Sequence, residues 1–273
     1  MHPNGGKENI LKTNDNVKSR RQYWILAFAS PLLIFILWVV ATSAEWVRPV
    51  LLPSPGEVAK SFSDMLLNGY SGVSLFIHLL ASLTRVGTAF VFGSILGITI
   101  GMLRGRINNV DAIFLIPGEI LRPIPPLGLI PLFILWFGIG ETSKVLLIFV
   151  SVFLIMMVSA QAGTRSCPAD SIRAAQTCGA NRYQIFRFVV FPSALPQIMT
   201  GLRVALGTAL SILVAAELLG GDRGVGFIVL DAANFFRTTY VFAGIIVIGI
   251  VGLLSDRALA YAGRRIVHWE GRR

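Results

Sequence analysis

Apolar runs of bilayer-spanning length recur along this chain, at 24–44, 78–103, 110–137, 142–162, 196–219 and 239–262. About 20 apolar helical residues cross the hydrocarbon core. No water reaches that core, so each backbone N–H and C=O must be bonded within its own segment, as a helix does. The chain is therefore predicted to be an all-α membrane protein with six transmembrane helices. Of its 273 residues, 54% are hydrophobic and 14% charged, and mean hydropathy is +0.71. A soluble domain carries roughly a quarter charged residues, so a soluble globular enzyme is excluded. The first run has a rival reading as a signal peptide, because basic residues precede it and small ones follow. Its length and the spans downstream favour a membrane helix.

The net charge of +10 would suit nucleic acid if it formed a patch. Instead the bases gather at span ends, the pattern that orients a protein in a membrane. With both termini cytosolic, the inner side holds Lys7, Lys12, Lys18, Arg20 and Arg21 before the first span and Arg104 and Arg106 after the second. Arg165, Arg173, Arg182, Arg187 and Arg203 lie in the charged loop and the span end after it, and Arg257, Arg264, Arg265, Arg272 and Arg273 close the chain. These are 17 of the 24 bases; Arg48, Lys60, Arg85, Arg122, Lys144, Arg223 and Arg237 lie outside or within spans. Residues 1–23 read as a disordered cytosolic arm, 24–263 as the membrane domain, and 264–273 as a basic cytosolic tail.

Between the first two spans, Ser54 and Glu57 form a capping-box pattern with Pro55 at the first helical position. Val58, Phe62, Met65 and Leu66 share one face, and Asn68-Gly69 ends the segment. The spacing predicts a short amphipathic helix over 55–68 on the outer surface, either packed on the bundle or touching a partner. In the second span Gly93, Gly97 and Gly101 form a small-residue ridge for close helix approach. The third span holds Pro117, Pro123, Pro125, Pro126 and Pro131, with Glu119 and Arg122. Broken backbone and charge at membrane depth are tolerated when buried in protein or lining a wet cavity. Glu119 and Arg122 are thus candidates for a substrate pathway or for a local ion pair three residues apart. Glu217, near the outer end of the fifth span, is a third pathway candidate. Gly220, Gly221, Gly224 and Gly226 predict a flexible outer loop. It is not a phosphate cradle, since no strand precedes it and no Lys-Ser/Thr follows.

One stretch breaks the apolar pattern. Residues 162–198 carry Arg165, Asp170, Arg173, Arg182 and Arg187, too much charge for a bilayer core. Pro168 suits a first helical position and Asp170 the positive helix end. Gly179 suits a left-handed helix stop, and Asn181 with Gln184 forms a second capping box. Pro192 is expected to end the second helix. Two short helices joined at a glycine make a rigid knob that fits a groove on another protein, or an amphipathic loop that rests on lipid.

Ala174, Ala175, Gly179 and Pro192 keep the spacing A-A-x3-G-x12-P. This resembles the EAA loop of permease subunits of ATP-binding-cassette (ABC) importers, the coupling helix that docks into the ATPase subunit. Arg173 stands where that family usually has Glu, a feature common in the taurine and sulfonate branch. Val189-Val190-Phe191 replaces its Ile-x-Leu. The stretches RPIPPLGLIPLFILWFGIGETSK (122–144), IRAAQTCGANRYQI (172–185) and LVAAELLGGDRGVGF (213–227) resemble taurine-transport permeases. Nitrate, bicarbonate and aromatic-sulfonate relatives share much of the pattern.

The resemblance implies a type I ABC importer permease fold in the bacterial inner membrane, with a coupling loop over 163–195. It assigns ATPase coupling to Arg173, Ala174, Ala175, Gln176, Gly179, Ala180, Asn181, Arg182 and Tyr183. Implied partners are a second copy of the chain, two ATPase subunits, a periplasmic or lipoprotein solute-binding protein, and membrane lipid. No cofactor is expected on this chain, with ATP and Mg belonging to the ATPase. The residues agree, for there is no G-x4-GK[ST] phosphate loop. Neither Cys167 and Cys178 nor His2, His78 and His268 form a metal or catalytic pattern. A secondary transporter would show charged relays deep in several spans and inverted repeats. An intramembrane enzyme would show a nucleophile and base at membrane depth.

Overall fold

A computed structural model describes residues 5–218 and 220–269. Arg272, Arg273 and His2 lie outside the described residues. Regular structure among the described residues is helical, in eleven α-helices joined by one 3-10 turn and one π-turn. The first, α1 (Gly5–Ser43), starts far before its apolar run. Residues 5–23, expected to be disordered, instead continue the helix. Once the apolar segment nucleates it, each added residue gains a hydrogen bond at little further cost.

The short helix α2 (Pro55–Leu67) has the expected capping box, with Ser54 and Glu57 exchanging side-chain and backbone bonds. It is not free on the surface. Val58 and Met65 are buried, and Asp64 accepts a hydrogen bond from Tyr240, on the last span. Leu66, expected on the buried face, is exposed.

The core is a three-helix stack of α3 (Leu75–Arg106), α6 (Glu141–Arg165) and α9 (Phe191–Leu218). The glycine ridge of α3 seats α6. A Cβ at Gly101 would lie 2.3 Å from the Met157 carbonyl oxygen, and one at Gly97 2.7 Å from that of Phe153. Only a hydrogen at these positions lets the two backbones meet.

The third span is two pieces. α4 (Asn108–Leu121) and the segment Pro126–Phe137, which includes α5 (Ile130–Phe137), meet at 88°. Pro123, Pro125 and Pro126 remove successive backbone donors at the break, so the helix cannot pass through. Counting the bent pair as one span, six segments can cross a membrane. Beyond the core, α10 (Val225–Asn234) and α11 (Thr238–Ile266) form a second apolar cluster with α2. No sequence pattern marks α10. Its glycines at 224 and 226 read as loop, although they only open the helix.

Candidate functional site

The polar stretch after α6 folds as a helical hairpin. Pro168 is the N-cap of α7 (Ala169–Thr177), one residue before the expected start. Gly179 takes φ +78°. The Gly179 N–H donates to the Gln176 carbonyl at 2.9 Å and the Ala180 N–H to the Ala175 carbonyl at 3.0 Å. Those two bonds cap the helix end, and the left-handed residue between them favours glycine. The next turn, α8 (Arg182–Ile185), starts at Asn181, whose Oδ1 accepts from the Gln184 N–H at 2.9 Å while the Asn181 N–H donates to Gln184 Oε1 at 2.8 Å.

Pro192 does not end this helix. A π-turn over Phe186–Val190 leads into α9, and the Phe191 N–H bonds back to the Phe186 carbonyl. The wider turn absorbs the register change before a proline that donates nothing, so Arg182–Glu217 runs as one continuous segment.

No residue of α7 is buried. Arg173, Ala174, Gln176, Gly179, Asn181, Arg182 and Tyr183 are exposed, with Ala175 and Ala180 half-buried. Tyr183 and Phe188 expose more than two thirds of their surface, at 68% and 69%. Anchoring comes from below, where Ile185 and Val190 are buried. The only ion pair within the hairpin, among the described residues, is Arg173 with Asp170 at 2.6 Å. At its root, Asp111 of α4 takes bonds from Arg104, Gln161 and Arg165, tying the ends of α3 and α6 together. A capped, exposed hairpin thus stands on a fastened base.

Residues 89–268 match the family described as the binding-protein-dependent transport system inner membrane component. The chain belongs to this family of ABC importer permeases. The permease is 39% identical over 267 residues to the taurine transport system permease protein TauC of Escherichia coli K12, covering 94% of this chain and 97% of that one. It is 32% identical over 247 residues to the nitrate import permease protein NrtB of Synechocystis, covering 87% of each chain. Among solved structures, the inward-facing MetNI methionine ABC transporter matches with a TM-score of 0.53 at 23% identity, over 69% of the permease and 92% of that chain. An amino acid ABC transporter matches with a TM-score of 0.53 at 16% identity, over 77% and 96%. These likenesses establish the type I importer permease fold, and the family places the permease in the inner membrane.

The three pathway candidates separate. Glu119 is exposed on α4, and among the described residues it makes no ion pair with Arg122. Arg122 caps α4 at the break and lines an open pocket of about 780 Å³ with Pro126, Ser159 and Thr208. Glu217, expected on the pathway, is 1% exposed and bonded on both oxygens. Its Oε1 accepts from Ser82 Oγ at 2.8 Å and Arg85 Nη1 at 2.5 Å, and its Oε2 from the Gly226 N–H at 2.9 Å. Both oxygens are engaged inside the protein, so this carboxylate ties α9 to α3 and to the 224–226 turn.

Around it lies a network that sequence reasoning missed. Arg85 bonds Glu141 through Nε and Nη2, at 2.5 and 2.7 Å, and donates to the Arg223 carbonyl at 2.8 Å. Lys144 adds a contact to Glu141 at 3.4 Å. His78 Nδ1 accepts from the Gly224 N–H at 3.1 Å, and Ser82 Oγ from the Val225 N–H at 3.0 Å. The glycine loop is therefore pinned, not flexible. A Cβ at Gly224 would sit 2.3 Å from the Glu217 carboxyl carbon. The available signal was the pair of isolated charges, Arg85 and Glu217, each near the outer end of an apolar run.

Proposed function

We propose that this permease couples ATP hydrolysis by a separate ATPase subunit to import of taurine or a related alkanesulfonate, through the exposed hairpin α7–α8. Two copies of the chain pair, and each seats its hairpin in one ATPase. The termini and the hairpin face the cytosol. Closure of the ATPases draws the two hairpins together and turns a central cavity from inward-facing to outward-facing. A solute-binding protein delivers the substrate from outside. The observation that carries this reading is the exposed Gly179 turn, rigidly capped on both sides and bearing the aromatic Tyr183 beside Arg182.

The substrate class rests on the identity to TauC. Charge in the Arg122 pocket is compatible with it. Arg122 offers donors for a sulfonate, and Thr208 gives its proton to the Val204 carbonyl, leaving oxygen lone pairs for an ammonium. Growth of a deletion strain on taurine as sole sulfur source tests the substrate. Failure to grow, restored by the intact gene, supports the taurine assignment; normal growth overturns it. Loss of nitrate uptake instead would move the permease toward the function named for NrtB. Co-purification tests coupling, and a tagged chain that brings down no ATPase would sink that part of the reading.

A further inference from the structure

A cleft of about 1210 Å³, partly open to solvent, separates α9 from the C-terminal half of α11. Met199 and Arg203 line one wall, and Asp256, Arg257, Arg264 and His268 the other. Arg203 grips Asp256 with two bonds, Nε to Oδ1 at 2.9 Å and Nη2 to Oδ2 at 3.0 Å, so that pair is neutral and bridges the floor. Arg257 and Arg264 meet no carboxylate among the described residues. Seven residues apart, they lie on the same side of α11, about 10 Å from each other. The cleft thus holds a surplus of two positive charges.

The same stripe of α11 continues away from the chain end as Ile246, Ile250 and Leu254, all exposed. Spacings of four, four and three residues bring it to Arg257, which keeps one face of a helix. Exposed Trp269 stands beyond the charged end. A basic cleft set beneath an exposed apolar track fits an amphiphile. A small anion would use only half of it.

We propose that this cleft binds the phosphodiester headgroup of an anionic phospholipid, with an acyl chain along Ile246, Ile250 and Leu254. Arg257 and Arg264 hold the phosphate, as basic pockets between membrane helices do. The lipid then fastens α11 to α9, the helix that continues directly from the hairpin. The chemistry, a tetrahedral oxyanion, is shared with free sulfonates and phosphate, but the apolar track selects the lipid. This inference requires only that the chain sits in a bilayer and is independent of which solute it carries.

The test uses the full chain in nanodiscs of phosphatidylethanolamine and phosphatidylglycerol in equal amounts, with retained lipid counted by native mass spectrometry. The intact chain keeps phosphatidylglycerol. Arg257→Gln with Arg264→Gln lowers that retention by roughly 30-fold, from about 1 kcal/mol per basic residue near a headgroup. The corresponding pair of lysine substitutions keeps most of it, which separates lost charge from lost fold, and Arg48→Gln changes nothing. Ile250→Asn with Leu254→Asn also weakens retention. Equal retention in the glutamine variant overturns the proposal. So does occupation of the lipid-free cleft by taurine or inorganic phosphate together with unchanged lipid retention in the asparagine variant, because the site would then be one for free anions.

Discussion

The hairpin α7–α8 and the cluster around Glu217 are both rich in charge, yet one leaves its charges in water while the other buries them. In the hairpin, Arg173 and Asp170 pair on the surface, and Arg182 faces solvent. In the cluster, Arg85 is 4% exposed, Glu217 1%, and each is bonded several times over. Exposed pairs contribute about 0.2–1 kcal/mol, whereas removing one partner of a buried pair costs about 3–5 kcal/mol. Damage to the cluster should therefore appear as unfolding. Damage to the hairpin should appear as lost coupling in a well-folded chain.

The largest effect is expected from Glu217→Ala, which takes the buried acceptor from Arg85, Ser82 and the Gly226 N–H and leaves Arg85 only its outer partner Glu141 and the Arg223 carbonyl. Unfolding in detergent should show a loss of about 3–5 kcal/mol. Replacing Arg85 by Met as well should recover part of it, because no buried guanidinium then faces the emptied carboxylate site and Glu141, largely exposed, keeps Lys144. No loss in the single variant would mean that water reaches the cluster and that the contrast with the hairpin is false. Gly101→Val comes next, since its side chain meets the Met157 carbonyl oxygen; overpacking of this kind costs about 1–3 kcal/mol, read by the same melt.

Gly179→Asp sharpens the comparison from the other side. A Cβ there meets open space, but φ +78° disfavours any side chain, at about 1–2 kcal/mol. The subunit should fold while substrate uptake collapses. Full uptake in this variant would remove the hairpin from the mechanism. Arg173→Ala should barely move the melt, within about 1 kcal/mol, while changing the amount of ATPase that co-purifies.

The smallest effect is one of pH. Hydrogen bonds from Tyr240 and then Asn68 hold the Asp64 carboxyl below the usual carboxylate range. An acid with a lowered folded value favours the folded state above its unfolded value and loses that contribution as pH falls through the folded one. Docking of α2 on α11 should therefore loosen only in acid. Asp64→Asn should be loosened already at neutral pH and lose this acid step, as measured by hydrogen exchange over 60–67, away from the Glu57 cap that Ser54 also holds low.

Much of this was legible in the residues, and the reason is locality. The Ser54–Glu57 and Asn181–Gln184 boxes and the Gly179 stop each involve partners within a few positions, so backbone chemistry alone decides them. The fate of Pro192 was misread because a π-turn just upstream, seated on buried Val190, let the helix run on. The α10 helix was missed because its opening glycines carry a loop signal, and only packing against α2 and α11 makes the segment a helix.

From the chain alone came the apolar spans, their helical state and the capped polar hairpin, since a bilayer demands internal hydrogen bonding and caps act over single turns. Tertiary structure alone decided that Glu217 would meet Arg85 across 132 residues and that the glycine loop would be pinned. Those outcomes turn on which helix faces come together. A buried charge takes the partner that packing brings within bonding distance, and no local pattern encodes that choice.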